Sequence, residues 1–416
     1  MAKGKTHRAW SILVACCFLM MTLGLSTTVL GFFIEPVSTD LGFDRSAFSL
    51  YYSIAGIAGM LSMPVWGRIF NRIGVRKSVV IAGVMTSVFM ALLGVCRTLP
   101  AFYVAGAGMG LGVGAIAVLP TSVLINTWFV DKRGFAMGLA MAFSGVAGTI
   151  FSPVISAIIE SAGWSVGYFV NAVLIFLFTV PVSLLLVRDN PAQYGLTAYG
   201  ADKVTEQGET KVVGVTAKRA YLSLAFVVLA LVVVLINAVG GILQSLPAHL
   251  TNVGIDATTA SLIVSVVTIS LIFAKIVLGT ISDKFGLRVA VVGSFCVLAL
   301  GCLIFAFVDG VPSAVVAAIV FGLGMSCITV LPPLITSEMF GNRDYSAIYS
   351  VVSALASLGL AIGVPVIALD YDLTGNYVIA FIVCAVIMVV SALLVLVALK
   401  SSKKLWSAED QEEQAA

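Results

Sequence analysis

Charge is what this sequence has least of. Only 10% of its 416 residues are Asp, Glu, Lys or Arg, and there are two histidines. Soluble domains carry about a quarter charged residues, so the shortage argues against a water-soluble fold. A net charge of +3 is too small to mark nucleic acid as a partner. The seven cysteines (Cys16, Cys17, Cys96, Cys296, Cys302, Cys327, Cys384) form no C-x-x-C pair and are odd in number, against both a disulfide framework and a metal site. There is also no nucleophile–base pair, metal cluster or phosphate loop, so nothing suggests an enzyme, and no cofactor is expected.

What is there is apolar: 60% of the chain is hydrophobic. The basic start, MAKGKTHR, leads into Leu13-Val14-Ala15-Cys16, which has the form of a lipoprotein cleavage box. Too few residues separate Arg8 from that box for a signal core of roughly 7–15 apolar residues, and the apolar run continues past it. It reads as a retained first span.

A helix needs about 20 apolar residues to cross a bilayer. Twelve segments qualify, here called spans 1 to 12: 9–34, 46–66, 78–96, 101–127, 134–159, 164–187, 220–246, 257–281, 288–308, 312–336, 345–369 and 376–399. The fold class is therefore all-α integral membrane, with twelve transmembrane helices in two pseudo-symmetric six-helix bundles. The expected layout is a bundle over 1–187, a cytoplasmic linker over 188–219, a second bundle over 220–399 and a cytoplasmic tail over 400–416. Placing both termini in the cytoplasm puts 20 of the 23 Lys and Arg residues there, leaving Arg45 and Arg97 outside and Lys275 within a span. The positive-inside rule selects that orientation.

The halves are copies. Val118-Leu119-Pro120 recurs as Val330-Leu331-Pro332, and the same shift of 212 carries Gly42, Gly67, Gly74, Pro153 and Gly163 to Gly254, Gly279, Gly286, Pro365 and Gly375. Two duplicated halves joined by a linker are the layout of rocking transporters.

Two loops repeat as well. Gly67-Arg68-Ile69-Phe70-Asn71-Arg72-Ile73-Gly74-Val75-Arg76-Lys77 follows span 2, and Gly279-Thr280-Ile281-Ser282-Asp283-Lys284-Phe285-Gly286-Leu287-Arg288 follows span 8. The first glycine of each suits close helix packing and the second a tight left-handed turn. The pair resembles the loop motif G-x-x-x-D-R-x-G-R-R of the major facilitator superfamily, along the whole chain. Asn71 departs from it by replacing the acid that Asp283 keeps. The resemblance implies that Gly67, Asn71, Arg72, Gly74, Arg76, Gly279, Asp283, Lys284 and Gly286 form gating loops that stabilise the state closed to the cytoplasm.

A second segment, Thr127-Trp128-Phe129-Val130-Asp131-Lys132-Arg133-Gly134-Phe135-Ala136-Met137-Gly138-Leu139-Ala140 followed by Ser144-Gly145, resembles the monocarboxylate and oxalate/formate porter branch. So does Pro191-Ala192-Gln193-Tyr194-Gly195-Leu196. The drug/proton antiporter pattern G-x-x-x-G-P-x-x-G-G is incomplete, because Gly148 runs into Thr149 and Ile150 without the proline.

Lys275 interrupts the apolar run LIFAKIVLGT of span 8. Its eight-residue separation from Asp283 is about 12 Å of helix, more than a lysine stem can bridge by snorkelling. Ser261, Ser265 and Thr268 share its helix face. A polar stripe ending in a cation is expected to face a wet cavity, because lipid penalises it. The resemblance implies that Lys275, four residues before Gly279, holds the carboxylate of a small carboxylate substrate. One mid-membrane cation fits a monocarboxylate, since the second cation of oxalate-type porters has no counterpart between Arg343 and Lys400.

Leu271 stands where monocarboxylate transporters often carry an acid, and Thr27 where some carry a lysine. For coupling to protons that leaves Lys275 itself, His249 and Glu35; the last two also suit interfacial structural roles. Further hydrogen-bonding candidates are Thr27, Thr28, Asn237, Thr329 and Ser353, each also able to serve helix packing. The expected function is secondary transport of a lactate- or pyruvate-like acid by a monomeric unit in a bacterial inner membrane, with protons as candidate coupling ions. The alternatives are oxalate/formate-type exchange and efflux of a larger amphipathic compound. A sensor is disfavoured by the short linker and tail.

Overall fold

Inside hydrocarbon a backbone can satisfy its polar groups only from itself, and helices do so within one segment. The computed structural model describes residues 8–201 and 214–415, so the central part of the expected linker lies outside the described residues. Twelve helical spans are long and apolar enough to cross a membrane, and no β-strand occurs among the described residues beyond two isolated bridges.

The chain divides into two compact units, Met1–Thr210 and Lys211–Ala416. In the first, span 2 (Arg45–Ile73) and span 3 (Val75–Leu93) pack on span 4, span 1 packs on span 5 (Arg133–Ala162), and span 6 (Trp164–Leu185) packs on spans 1 and 3. The second unit repeats the scheme. Span 8 (Ala257–Phe285) and span 9 (Leu287–Ala306) pack on span 10 (Val311–Phe340), span 7 packs on span 11 (Tyr345–Thr374), and span 12 (Val378–Ala415) packs on spans 7 and 9.

The shift of 212 survives at the level of atoms. A methyl on Gly110 of span 4 would stand 2.0 Å from the Ala55 carbonyl oxygen of span 2. One on Gly322 of span 10 would stand 2.5 Å from the Val267 carbonyl oxygen of span 8. Both glycine and carbonyl are related by the repeat, so the glycine runs let the same helix pairs approach in both units.

Three spans are broken where the apolar pattern reads as continuous. Span 1 is an α-helix over Arg8–Thr27, a 3₁₀ turn over Val29–Phe33 and a short helix over Ile34–Leu41. Span 4 breaks at Ala117, between Leu99–Ile116 and Val118–Trp128. Span 7 breaks at Gly241, between Leu224–Gly240 and Ile242–Asn252. At span 4 a reason is visible: Pro120 has no N–H to offer the carbonyl four residues back.

Spans 2 and 8 run further than expected and absorb most of the two loop motifs, so only Gly74 and Gly286 interrupt the helices there. Their φ, ψ values are 85°, 158° and 87°, 155°. This corrects the expected left-handed turn: the backbone is extended at positive φ, a region essentially confined to glycine. The expected tail is also helical, since span 12 continues to Ala415.

The two ends of the linker are fastened within their own units. Tyr199 donates its N–H to the Trp128 carbonyl at 2.8 Å, and Val215 donates to the Phe340 carbonyl at 2.9 Å. Trp128 and Phe340 are again 212 residues apart.

Candidate functional site

Span 8 has three faces. Ile263, Val267, Ala274 and Leu278 are buried, with Val267 against Gly322 of span 10. Leu262, Ile269, Phe273 and Val277 are exposed and apolar, as a lipid-facing stripe should be. Between these lies the polar stripe: Ser261 and Ser265 are exposed, and Thr268 is half-buried. Lys275 sits on the side of that stripe nearest the packed face and is only 5% exposed. The lysine is therefore more enclosed than a residue of an open wet cavity. Its depth fits the bilayer interior: ten residues separate it from the end of the helix at Phe285, about 15 Å, half the thickness of a hydrocarbon core.

The hydroxyls of the stripe are already committed as donors. Ser261 donates to the Thr258 carbonyl at 2.7 Å, Ser265 to Ser261 at 3.0 Å and Thr268 to Val264 at 3.1 Å. They offer lone pairs, and a carboxylate needs donors.

Other predicted residues fall into separate groups. In span 7, Asn237 donates to the Val233 carbonyl at 2.8 Å and lies beside Gly359 of span 11, where a methyl would stand 3.0 Å from its Cβ. Ser353, earlier in span 11, is 6% exposed, and its hydroxyl has no hydrogen-bond partner among the described residues. Thr329 is exposed on span 10, with a long 3.5 Å contact to the Ser326 carbonyl. Thr27 donates to the Leu23 carbonyl at 2.7 Å, and Thr28 is exposed at the break in span 1.

The two additional proton-coupling candidates are placed differently. His249 is buried, its Nε2 2.9 Å from the Phe305 carbonyl of span 9 and its ring against Tyr377 and Phe381. Glu35 is exposed and accepts a hydrogen bond from Arg45 at 2.7 Å. Both have the contacts of structural residues.

At the first loop motif Gly67 is buried, while Asn71 and Arg72 are exposed; at the second Gly279 is buried, while Asp283, Lys284 and Gly286 are exposed. An acid from outside the motif stands at the first loop. Asp189, just beyond span 6, accepts the backbone N–H of Arg76 at 2.8 Å, at the start of span 3. A carboxylate is favoured there by the unpaired N–H groups and dipole of a helix N-terminus. A methyl on Gly74 would stand 2.5 Å from the same carboxylate. The Arg76 side chain reaches the Leu184 carbonyl of span 6. Sequence reasoning missed Asp189; the available signal was an acid one residue after the basic end of a span, in a half whose loop motif is one acid short. The breaks at Thr28, Ala117 and Gly241 were also missed. Among the described residues no group of three or more His, Cys, Asp or Glu could hold a metal.

The model of the Major Facilitator Superfamily matches residues 16–252 and 232–415. Monocarboxylate transporter 12 of Rattus norvegicus is 23% identical over 92% of this chain and 84% of its own length. The oxalate:formate antiporter of Oxalobacter formigenes is also 23% identical, over 44% of each chain. Among solved structures, the proton:xylose symporter XylE superposes with a TM-score of 0.75 at 17% identity, covering 96% of this chain and 99% of that one. That likeness carries the fold alone. The protein is thus an integral membrane transporter rather than an enzyme: the chain belongs to the Major Facilitator Superfamily, and its relatives there include monocarboxylate and oxalate/formate porters.

Proposed function

We propose that this transporter moves a small monocarboxylate, of the lactate or pyruvate type, by alternating access. The observation that carries the reading is Lys275, a cation enclosed near mid-depth in a membrane-spanning helix. An ammonium shielded from water gains strongly from a carboxylate partner. As a point charge it fits one carboxylate and does not demand the two-pronged geometry of a guanidinium. Ser353 is a further candidate donor: its hydroxyl has no hydrogen-bond partner among the described residues, whereas those of Ser261, Ser265 and Thr268 are bonded to their own helix. The coupling ion in this reading is a proton. One chain is the working unit, in a bacterial inner membrane with both termini cytoplasmic; the distribution of 20 of 23 basic residues supports that orientation.

The match to an oxalate:formate antiporter favours anion exchange as the second reading. Uptake of labelled lactate, pyruvate, formate and oxalate into proteoliposomes tests both. Saturable uptake of one monocarboxylate driven by an inward proton gradient supports symport. Uptake that instead requires an anion loaded inside the vesicles supports exchange. In either case Lys275→Ala should reduce uptake at least about tenfold, the loss of roughly 1.4 kcal/mol of binding. Undiminished uptake in that variant would remove Lys275 from the site and favour efflux of a larger amphipathic compound.

A further inference from the structure

A groove of about 210 Å³ opens on the second unit between spans 7, 11 and 12. Ala238 and Gly363 form its floor, and Val366 and Val383 stand along its walls. A methyl on Gly363 would lie 2.2 Å from the Ala238 carbonyl oxygen, so the floor is two backbones in contact. The walls are partly exposed, Val366 by 59% and Val383 by 48%, on helices that cross the membrane. From Ile379 to Ile387 the groove follows eight residues of span 12, about 12 Å. That is close to the roughly 15 Å depth of one leaflet of hydrocarbon.

The lining carries one charged side chain. Asp370 stands at the end of the groove nearest the turn between spans 11 and 12. Its Oδ2 accepts the Ala380 N–H at 2.8 Å, and Oδ1 lies 3.4 Å from the Thr374 hydroxyl. The three turns at this end of the unit, 253–256, 307–310 and 375–377, hold Asp256 and Asp309 and not one Lys or Arg, and Asp370 lies just before the third, near the end of span 11. An apolar groove nearly one leaflet deep, with a carboxylate at its mouth and no basic residue in the turns at that end of the unit, matches an acyl chain below a cationic group. We propose that the groove seats one acyl chain of a phospholipid whose headgroup bears an ammonium, phosphatidylethanolamine, with that ammonium at Asp370. Phosphatidylglycerol, which has the same chains and no cation, is repelled there.

The test is native mass spectrometry of the delipidated full-length protein, titrated with equimolar dioleoyl phosphatidylethanolamine and dioleoyl phosphatidylglycerol. Wild type is expected to retain a first lipid that is the ethanolamine form by several-fold. Val383→Trp and Val366→Trp, which fill the groove from exposed positions, should each lose that first lipid. Leu393→Trp, also exposed on span 12 but outside the groove, should keep it. Asp370→Asn retains an oxygen for the Ala380 N–H, so the lipid should remain bound with its preference near unity. Equal retention by both groove-filling variants and Leu393→Trp would show non-selective surface lipid and overturn the site. A preference near unity in wild type, or one that survives Asp370→Asn, would overturn the headgroup assignment.

Discussion

Spans 2 and 8 are copies separated by 212 residues, and what they share differs in kind from what they do not. Each is a 29-residue helix, Arg45–Ile73 and Ala257–Phe285, with an Asp before it (Asp44, Asp256) and a positive-φ glycine after it (Gly74, Gly286). Each presents a carbonyl, Ala55 or Val267, to a glycine of the fourth helix in its unit. At the position of Lys275, however, span 2 carries Met63, whose Cγ would lie 3.3 Å from a methyl on Gly114. At the position of Asp283 it carries Asn71. Backbone geometry and close packing are duplicated; at these two positions the charge belongs to one copy alone. On the proposed reading the repeat is a scaffold, and function lies in the departures from it.

Replacing the lysine by the residue of the other copy, Lys275→Met, tests that division most sharply. Uptake should fall at least about tenfold, a loss of roughly 1.4 kcal/mol of binding. Thermal stability in detergent should hold or rise, because exchanging a buried charge for an apolar side chain of similar volume is often neutral or stabilising. The reverse change, Met63→Lys, should lower the melting temperature. If instead Lys275→Met unfolds the protein, the lysine belongs to the scaffold.

The shared elements should respond alike. Gly110→Ala and Gly322→Ala each drive a methyl into a backbone oxygen of the neighbouring helix. Overpacking of this kind costs about 1–3 kcal/mol. Parallel losses of melting temperature, followed by fluorescence-detected size exclusion, would bear out the equivalence; a loss in one half alone would break it.

Much of this scaffold was legible in the sequence, because membrane solvation is strict. Twelve apolar runs, their basic loops and the constant offset follow from the exclusion of unpaired backbone and charge from hydrocarbon. Lys275 was legible for the same reason: a charge within an apolar run needs an explanation. Its degree of enclosure was not, since that depends on where the packed face of span 8 meets the polar one. The breaks at Thr28 and Gly241 were invisible to hydropathy, which is blind to a local change of hydrogen-bond pattern within an apolar segment. The linker contacts of Tyr199 and Val215 use main-chain atoms that every residue carries, so no pattern of side chains announces them.

Asp189 makes the two motif loops unequal. Gly74→Ala and Gly286→Ala both place a side chain at a φ near +85° on extended backbone, at a cost of about 1–3 kcal/mol. Only at Gly74 does the new methyl also meet a carboxylate, so Gly74→Ala should show the larger fall in melting temperature. Asp189→Ala removes the acceptor for the Arg76 N–H and should cost about 0.5–2 kcal/mol, as the loss of a helix cap does. Equal effects of the two glycine substitutions would mean that Asp189 swings away freely and holds nothing.

The smallest contrast lies at the other ends of the same two helices. Asp256 accepts the Thr259 N–H at 2.9 Å, whereas Asp44 makes no such side-chain cap among the described residues. Hydrogen bonds from Thr259, from its side chain first and its backbone second, hold the Asp256 carboxyl below the usual carboxylate range. A carboxyl with a lowered folded value stabilises the fold at pH above its unfolded value, near 3.9, and loses that contribution as the pH falls through the folded value. The melting temperature of wild type should therefore exceed that of Asp256→Ala by a small, constant margin from neutral pH down to about pH 5, and the margin should close below about pH 4. Asp44→Ala should show a smaller margin at neutral pH, since the Asp44 side chain caps no N–H among the described residues. A margin for Asp256→Ala that stays flat into acid would assign the cap to the chain's geometry rather than to the charge, and the two helix starts would then be equivalent after all.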